Sequence, residues 1–266
     1  MNYTFGLIGS GNMGGAIAHA VSQSLQDGIL ADHSPERAEA LAKTLGFSAG
    51  NNEEAAQESR YLFLGVKPHL MNGMLQAIRP VLAERTEKPI LVSMAAGLTI
   101  AQIQKMAGID CPVVRIMPNT PVAVGQGVVL YHANDHVTQD MLDGFLSMMS
   151  KAGKLFPIEE SLMDVGAAVS GCGPAYAYLV LDAMADGGVA CGLPRPDAVQ
   201  FAAQTLLGAA QMVLETGKHP DQLKNEVCSP GGSTIQGVRT LEQHAVRAAV
   251  MDAVIAACEK NTTLGQ

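Results

Sequence analysis

Two segments of this chain place glycines directly ahead of a helical pattern: Gly9-Ser10-Gly11-Asn12-Met13-Gly14 near the start and Ser229-Pro230-Gly231-Gly232-Ser233-Thr234 near the end. The first N–H groups of a helix have no partner within it and carry the positive end of its dipole, so such turns can cradle an anion. The first turn follows the strand pattern Phe5–Ile8 and opens a helix running from Met13 to Ala20. Gly9 can make the tight turn and Gly11 can admit a pyrophosphate close to the backbone. Gly14 lets helix and strand pack closely, while Asn12 and Met13 line the cradle. This is the pattern that holds a dinucleotide.

About 20 residues beyond these glycines, the second strand should end near Asp32, where an acidic residue would hold the adenosine ribose of NAD. His33, Ser34 and Arg37 follow and could hold a 2′-phosphate, which an inward Asp32 would repel. The alternative is that Ser34 caps the next helix while Glu36 and Arg37 are solvated. The reading leans to NADP(H), with NAD(H) as the alternative. Val66-Lys67-Pro68 ends another strand pattern, and strand C-termini are where ligands bind in such sheets, so Lys67 could contact phosphate or ribose, or be a solvated loop residue. Ser93-Met94-Ala95-Ala96-Gly97 offers small residues against which a flat nicotinamide could lie. Asn119 stands between Pro118 and Pro121, which stiffen a loop that could position a group.

In the second segment, two glycines before a helix start let backbone N–H groups converge, which suits a small carboxylate, and Ser229 and Thr234 add hydroxyls. A well-capped helix start is the other reading. An alcohol dehydrogenase would need a poised His or Lys to move a hydroxyl proton. Yet no Lys lies between Lys154 and Lys218, and the later histidines are only His219 and His244. A cyclic imine can arrive protonated on nitrogen, its carbon electrophilic without further help. A hydroxyl such as that of Thr234 would then suffice to orient the ring, with rate coming from placement against nicotinamide.

The elements that must carry these residues read as two halves. Strand patterns at Phe5–Ile8, Ile29–Ala31, Tyr61–Val66, Ile90–Val92, Val113–Ile116 and Val128–Tyr131 alternate with helical patterns at 12–18, 35–45, 70–78, 99–107 and 138–151. Alternation of this kind implies parallel strands joined by right-handed helical crossovers, a doubly wound α/β sheet. After Pro157 only helical patterns remain, at 161–169, 174–191, 195–216, 220–226, 234–243 and 246–261. A dinucleotide-binding domain over 1–158 and an all-helical domain over 159–266 are therefore expected. Phe201 to Ala210 and Ala245 to Ala257 are Ala-rich on nearly every face; such helices must be covered all round, and a second subunit is expected to supply the cover.

A net charge of −8, with no run of Lys or Arg, argues against a nucleic-acid or anionic-membrane partner. Five widely spaced cysteines without a CxxC pair indicate neither a disulfide framework nor a zinc site, and suit a reducing cytosol. The chain enters its first strand without a basic leader, so a cytoplasmic location is expected. The apolar stretch from Ala175 to Cys191 is broken by Asp182 and Asp186, and reads as a buried helix rather than a membrane span.

Taken together, GSGNMG at 9–14, VKPH at 66–69, SMAAG at 93–97, RIMPNTP at 115–121, SGCGPAYAY at 170–178, GLPR at 192–195 and SPGGST at 229–234 resemble pyrroline-5-carboxylate reductase, in that family's order and over nearly the whole chain. The resemblance implies a Rossmann domain, then an all-α dimerisation domain whose helices interleave with a partner's, in an enzyme of proline biosynthesis that is a dimer at least. Carried over, the 229–234 loop would bind the carboxylate of an imino-acid substrate through the N–H groups around Gly232 to Thr234. Thr234 would touch the ring nitrogen, Asn52 the adenosine ribose, and Val66, Lys67 and Ala96 would line the cofactor. Two positions depart from the family: Cys172 stands where a Ser is more usual, and His33 where NADP-preferring relatives often carry Arg.

Two rival readings compete with this one. A β-hydroxyacid dehydrogenase would need a Lys on the long helix, and 174–191 has none. A binding protein that kept the fold and lost the reaction is opposed by the intact second loop.

Overall fold

The computed structural model describes residues 2–262, so the outermost ends of the two expected domains, residue 1 and residues 263–266, lie outside the described residues. The first half runs β1 (Tyr3–Ile8), α1 (Asn12–Ser22), β2 (Gly28–Ala31), α2 (Pro35–Leu45), β3 (Ser48–Ala49), α3 (Asn52–Glu58), β4 (Ser59–Leu64), α4 (Pro68–Glu84), β5 (Ile90–Ser93), α5 (Ile100–Ala107), β6 (Val113–Pro118), β7 (Gly127–Ala133), α6 (Gln139–Met148) and β8 (Gly153–Pro157). Among the described residues the strands form one sheet, in the order β3-β2-β1-β4-β5-β6-β7-β8. The order reverses between β1 and β4, the switch point at which open α/β sheets bind ligands.

Side chains of period two build a core on each face of this sheet. From β1 and β4, Phe5, Leu7, Tyr61 and Phe63 pack with Ile17 and Phe145 on one side; Ile8, Leu62 and Leu64 pack with Met71, Leu75, Ile78 and Ile103 on the other. Both faces are covered, as a parallel sheet requires.

The expectation of uniformly parallel strands needs one correction. β7 runs antiparallel to β6, and β8 is parallel to β7. Only residues 119–126 join β6 to β7, with a 3-10 turn at Thr120–Val124, too short a link to carry the chain back for a parallel return. The expected patterns also omitted β3, α3 and β8. α3 had a legible signal: Asn51 accepts the Glu54 N–H at 2.9 Å while Glu54 accepts the Asn51 N–H, a capping box. α4 runs past the expected stop at 78 with Pro80 inside it.

After Pro157 all regular elements among the described residues are helical: a 3-10 turn at Glu160–Leu162, then α7 (Met163–Ser170), α8 (Gly173–Ala190), α9 (Arg195–Thr216), α10 (Pro220–Val227), α11 (Ser233–Gln243) and α12 (Val246–Asn261). Packing divides the chain at another place. Residues up to Cys172, together with those from Ala257 on, form one unit; Gly173–Ala256 form the other. The first unit thus includes α7, whose Met163 and Ala167 pack with Met117 and Leu130, and the end of α12, where Asn261 donates to the Asp164 carbonyl at 3.1 Å. In the second unit the buried cluster is small: Ala185, Ala198 and Ala202, between α8 and α9. None of the described helices is long and apolar enough to cross a membrane.

Candidate active site

The C-terminal ends of the parallel strands carry most of the residues expected to bind a cofactor. At the end of β1, Gly9 has φ +104°, and a Cβ there would sit 2.7 Å from the Gly65 carbonyl group. Gly9 N–H donates to Ala31 and Gly65 N–H to Ile8, both at 2.8 Å, so the turn is stitched to its neighbours on each side. A Cβ on Gly14 would run into the Gly9 carbonyl oxygen; only glycine lets α1 start this close to β1. Gly11 is the N-cap of α1, without a side-chain cap or an acidic residue in the first turn, and nothing lies within 4 Å of where its Cβ would be. The first N–H groups of α1 thus have no side-chain cap, an arrangement able to hold a pyrophosphate.

At the end of β2, the Asp32 side chain is 7 % exposed and points back at the glycine turn. It accepts the Ser10 N–H at 2.6 Å and the Ser34 N–H at 3.0 Å, and pairs with Arg37 at 3.6 Å. Asp32, Pro35, Gly50, Asn51, Asn52 and Ala77 line a cavity of 620 Å³. Asn52 thus lies where an adenosine could sit, while His33 and Ser34 fall between two lining residues. Ser34 makes no side-chain cap on α2; its hydroxyl donates to Glu36 at 2.8 Å. A backbone N–H and that hydroxyl hold the Glu36 carboxyl below the usual range.

Val66 packs at the edge of the core face formed by Ile8 and Leu64, and exposed Lys67 is the N-cap of α4, which Pro68 opens. Ala96 packs against Met117, Leu130, Met163 and Ala167. Asn119 is buried: its Oδ1 accepts the Val128 N–H and its Nδ2 donates to the Ser170 carbonyl, each at 2.9 Å. Both ends of its side chain have partners within the protein.

The second expected cradle lies in the helical unit. Pro230, then Gly231 at φ +71°, forms the centre of a turn closed by Gly232 N–H donating to the Ser229 carbonyl at 3.1 Å. Pro presets the first turn angle and glycine alone takes the second without strain, which explains the Pro-Gly pair. Gly232 is the N-cap of α11, with no side-chain cap and no acidic residue in the first turn. The well-capped alternative is therefore not what the helix start has. Because Gly232 spends its N–H on the turn, the open donors begin at Ser233 and continue through Thr234 and Ile235. His219 is engaged at the start of α10, where its Nδ1 accepts the Asp221 N–H at 3.2 Å as the N-cap. Among the described residues no cluster of His, Cys, Asp or Glu could hold a metal ion.

Sequence reasoning missed two features of the first unit: the cavity wall at Gly50 and Asn51, which the capping box signals, and the inward use of Asn119, which nothing local announces.

A family model described as pyrroline-5-carboxylate reductase dimerisation matches residues 160–264. One described as NADP oxidoreductase coenzyme F420-dependent matches residues 4–97. The chain is 38 % identical over 267 residues to a pyrroline-5-carboxylate reductase of Pisum sativum, covering 99 % of this chain and 96 % of that protein. It is 38 % identical over 273 residues to that of Escherichia coli (strain K12), covering 100 % of both. A crystal structure of Plasmodium falciparum pyrroline carboxylate reductase with NADP bound superposes with a TM-score of 0.89 at 32 % identity, covering 100 % of this chain and 99 % of that one.

Proposed function

The chain belongs to the pyrroline-5-carboxylate reductase family, and from that membership we propose that it reduces the C=N bond of 1-pyrroline-5-carboxylate to give L-proline, the final step of proline biosynthesis. The observation that carries this reading is the uncapped start of α11 behind its Pro-Gly turn. Free N–H groups at Ser233, Thr234 and Ile235 suit the substrate carboxylate, and the Thr234 hydroxyl can accept the iminium N–H and orient the ring. The 229–234 loop itself carries no His, Lys or carboxylate, and a protonated imine needs no base there.

NAD(P)H, when bound, supplies the hydride. Gly9, Gly11 and Gly14 with the N–H groups of Asn12 and Met13 would hold its pyrophosphate. His33, Ser34 and Asn52 would contact the adenosine half, while Val66, Lys67, Pro68, Ala96 and the Asn119 loop would border the rest. NADP(H) is the first candidate, supported by the NADP in the Plasmodium relative; NAD(H) is the alternative, supported by the Asp32 carboxylate. We assign residues 1–158 to dinucleotide binding and 159–266 to substrate binding and dimerisation. The assembly is a homo-oligomer, at least a dimer through the C-terminal helices, in the cytoplasm.

The test is oxidation of NADPH in the presence of pyrroline-5-carboxylate, with Thr234→Ala beside the unaltered protein. The variant should turn over more slowly while its NADP(H) affinity stays nearly intact. Loss of turnover, cofactor affinity and helix content together would make Thr234 a helix-start residue only.

A further inference from the structure

We propose that Asn119 is a positioning residue for this reaction, fixing the last turn of α7 and, through α7, the wall at Ala96. The proposal rests on the reductase reading above. Asn119 follows the last residue of β6 and is 7 % exposed. Its amide joins the start of β7, through Val128 N–H, to the final residue of α7, through the Ser170 carbonyl.

Four residues earlier, the buried Arg115 of β6 holds the other end of the same helix. Its guanidinium pairs with Asp164 in the first turn of α7 at 3.0 Å and with Glu160 at 3.4 Å. Glu160 in turn accepts the Ile100 N–H at 2.7 Å, at the start of α5. β6 and the residue just past its end thus grip α7 at both ends. Between the grips, Met163 and Ala167 pack with Met117, Leu130 and Ala96, and a Cβ on Gly166 would run into the Leu130 side chain. A core packed this closely transmits displacement. Slack at Ser170 would be felt at Ala96, where a nicotinamide needs a fixed wall.

An amide is needed because one bond requires an acceptor and the other a donor. Asn119→Asp keeps the acceptor for Val128 but sets a carboxylate against the Ser170 carbonyl oxygen. Once protonated, the carboxyl can donate again, and burial raises the pH at which it does so. The titratable and charged groups on the surrounding elements are Arg115 on β6, Tyr131 and His132 on β7, Lys154 on β8 beside Val128, His19 on α1, Asp164 on α7 and Glu160 just ahead of it. All are present in the unaltered protein, whose profile therefore serves as the baseline.

The experiment compares kcat, KM for NADPH and NADPH affinity for both proteins across pH. For Asn119→Asp, kcat should be roughly 10-fold lower at about pH 8, with NADPH affinity within about twofold, and should recover toward the unaltered value near pH 5.5. A kcat equal to that of the unaltered protein at every pH overturns the proposal, as does a loss that is the same at every pH. Should Asn119→Asp fail to fold, Asn119→Gln decides: lower kcat with unchanged NADPH affinity supports the role, and unchanged kcat overturns it. An unaltered protein inactive on pyrroline-5-carboxylate would refute the reductase reading itself, a result distinct from any of these.

Discussion

The Asp32 carboxylate accepts the Ser10 backbone N–H at 2.6 Å, tying the end of β2 to the middle of the glycine turn that follows β1. Its other oxygen accepts the Ser34 N–H and faces Arg37. A ribose hydroxyl arriving here meets a carboxylate already engaged by protein donors. A 2′-phosphate would meet a negative charge whose counter-ion, Arg37, it must share.

Asp32→Asn should therefore shift preference toward NADPH. Removing one like charge at a partly solvated site is worth about 1 kcal/mol, so the ratio of kcat/KM for NADPH to that for NADH should rise roughly fivefold. Both absolute values will fall, since an amide cannot accept both N–H groups as well. An unchanged ratio would make Asp32 only a brace of the turn.

The helical unit leaves much apolar surface uncovered. Leu179, Phe201, Leu207, Leu214, Met251 and Ile255 are each more than half exposed, while the cluster buried between α8 and α9 is three alanines. Sedimentation at micromolar concentration should show a dimer or larger. A compact, well-folded monomer would contradict this.

Ala245, between α11 and α12, has φ +54°, the left-handed region that suits glycine. Ala245→Gly should relieve the strain, offset in part by the greater freedom of the unfolded chain, for a net gain of up to about 1 kcal/mol. Thermal unfolding would read it as a rise of a few degrees, with kcat unchanged. A lower melting temperature would show that the alanine methyl is worth more than its strain.

Burial pushes the Cys111 thiol up to about 12 from an ordinary value of 9.0. The thiol stays protonated in the folded chain, and labelling with iodoacetamide at mildly alkaline pH should spare it until the protein unfolds. The folded state holds its proton more tightly than the unfolded one. Its contribution to stability is thus full below pH 9 and is lost as pH climbs toward 12. Cys111→Ala should flatten that alkaline decline; an unchanged slope would assign it to other groups.

Local chemistry carried a large part of this protein in its residue order. The spacing of Gly9, Gly11 and Gly14 after an apolar run, the Pro-Gly pair at 230–231 and the shift from strand to helix after Pro157 are set by sterics within a few residues. For that reason most of the sheet, the two glycine-led helix starts and the family could be read from residue order alone. What needed the folded chain was the choice of partners far apart in sequence: Asp32 with Ser10, Asn119 with Ser170, the reversed direction of β7. Hydrogen bonds across 22 or 51 residues leave no periodicity behind, because any polar side chain can make them and only the packing brings one donor to one acceptor.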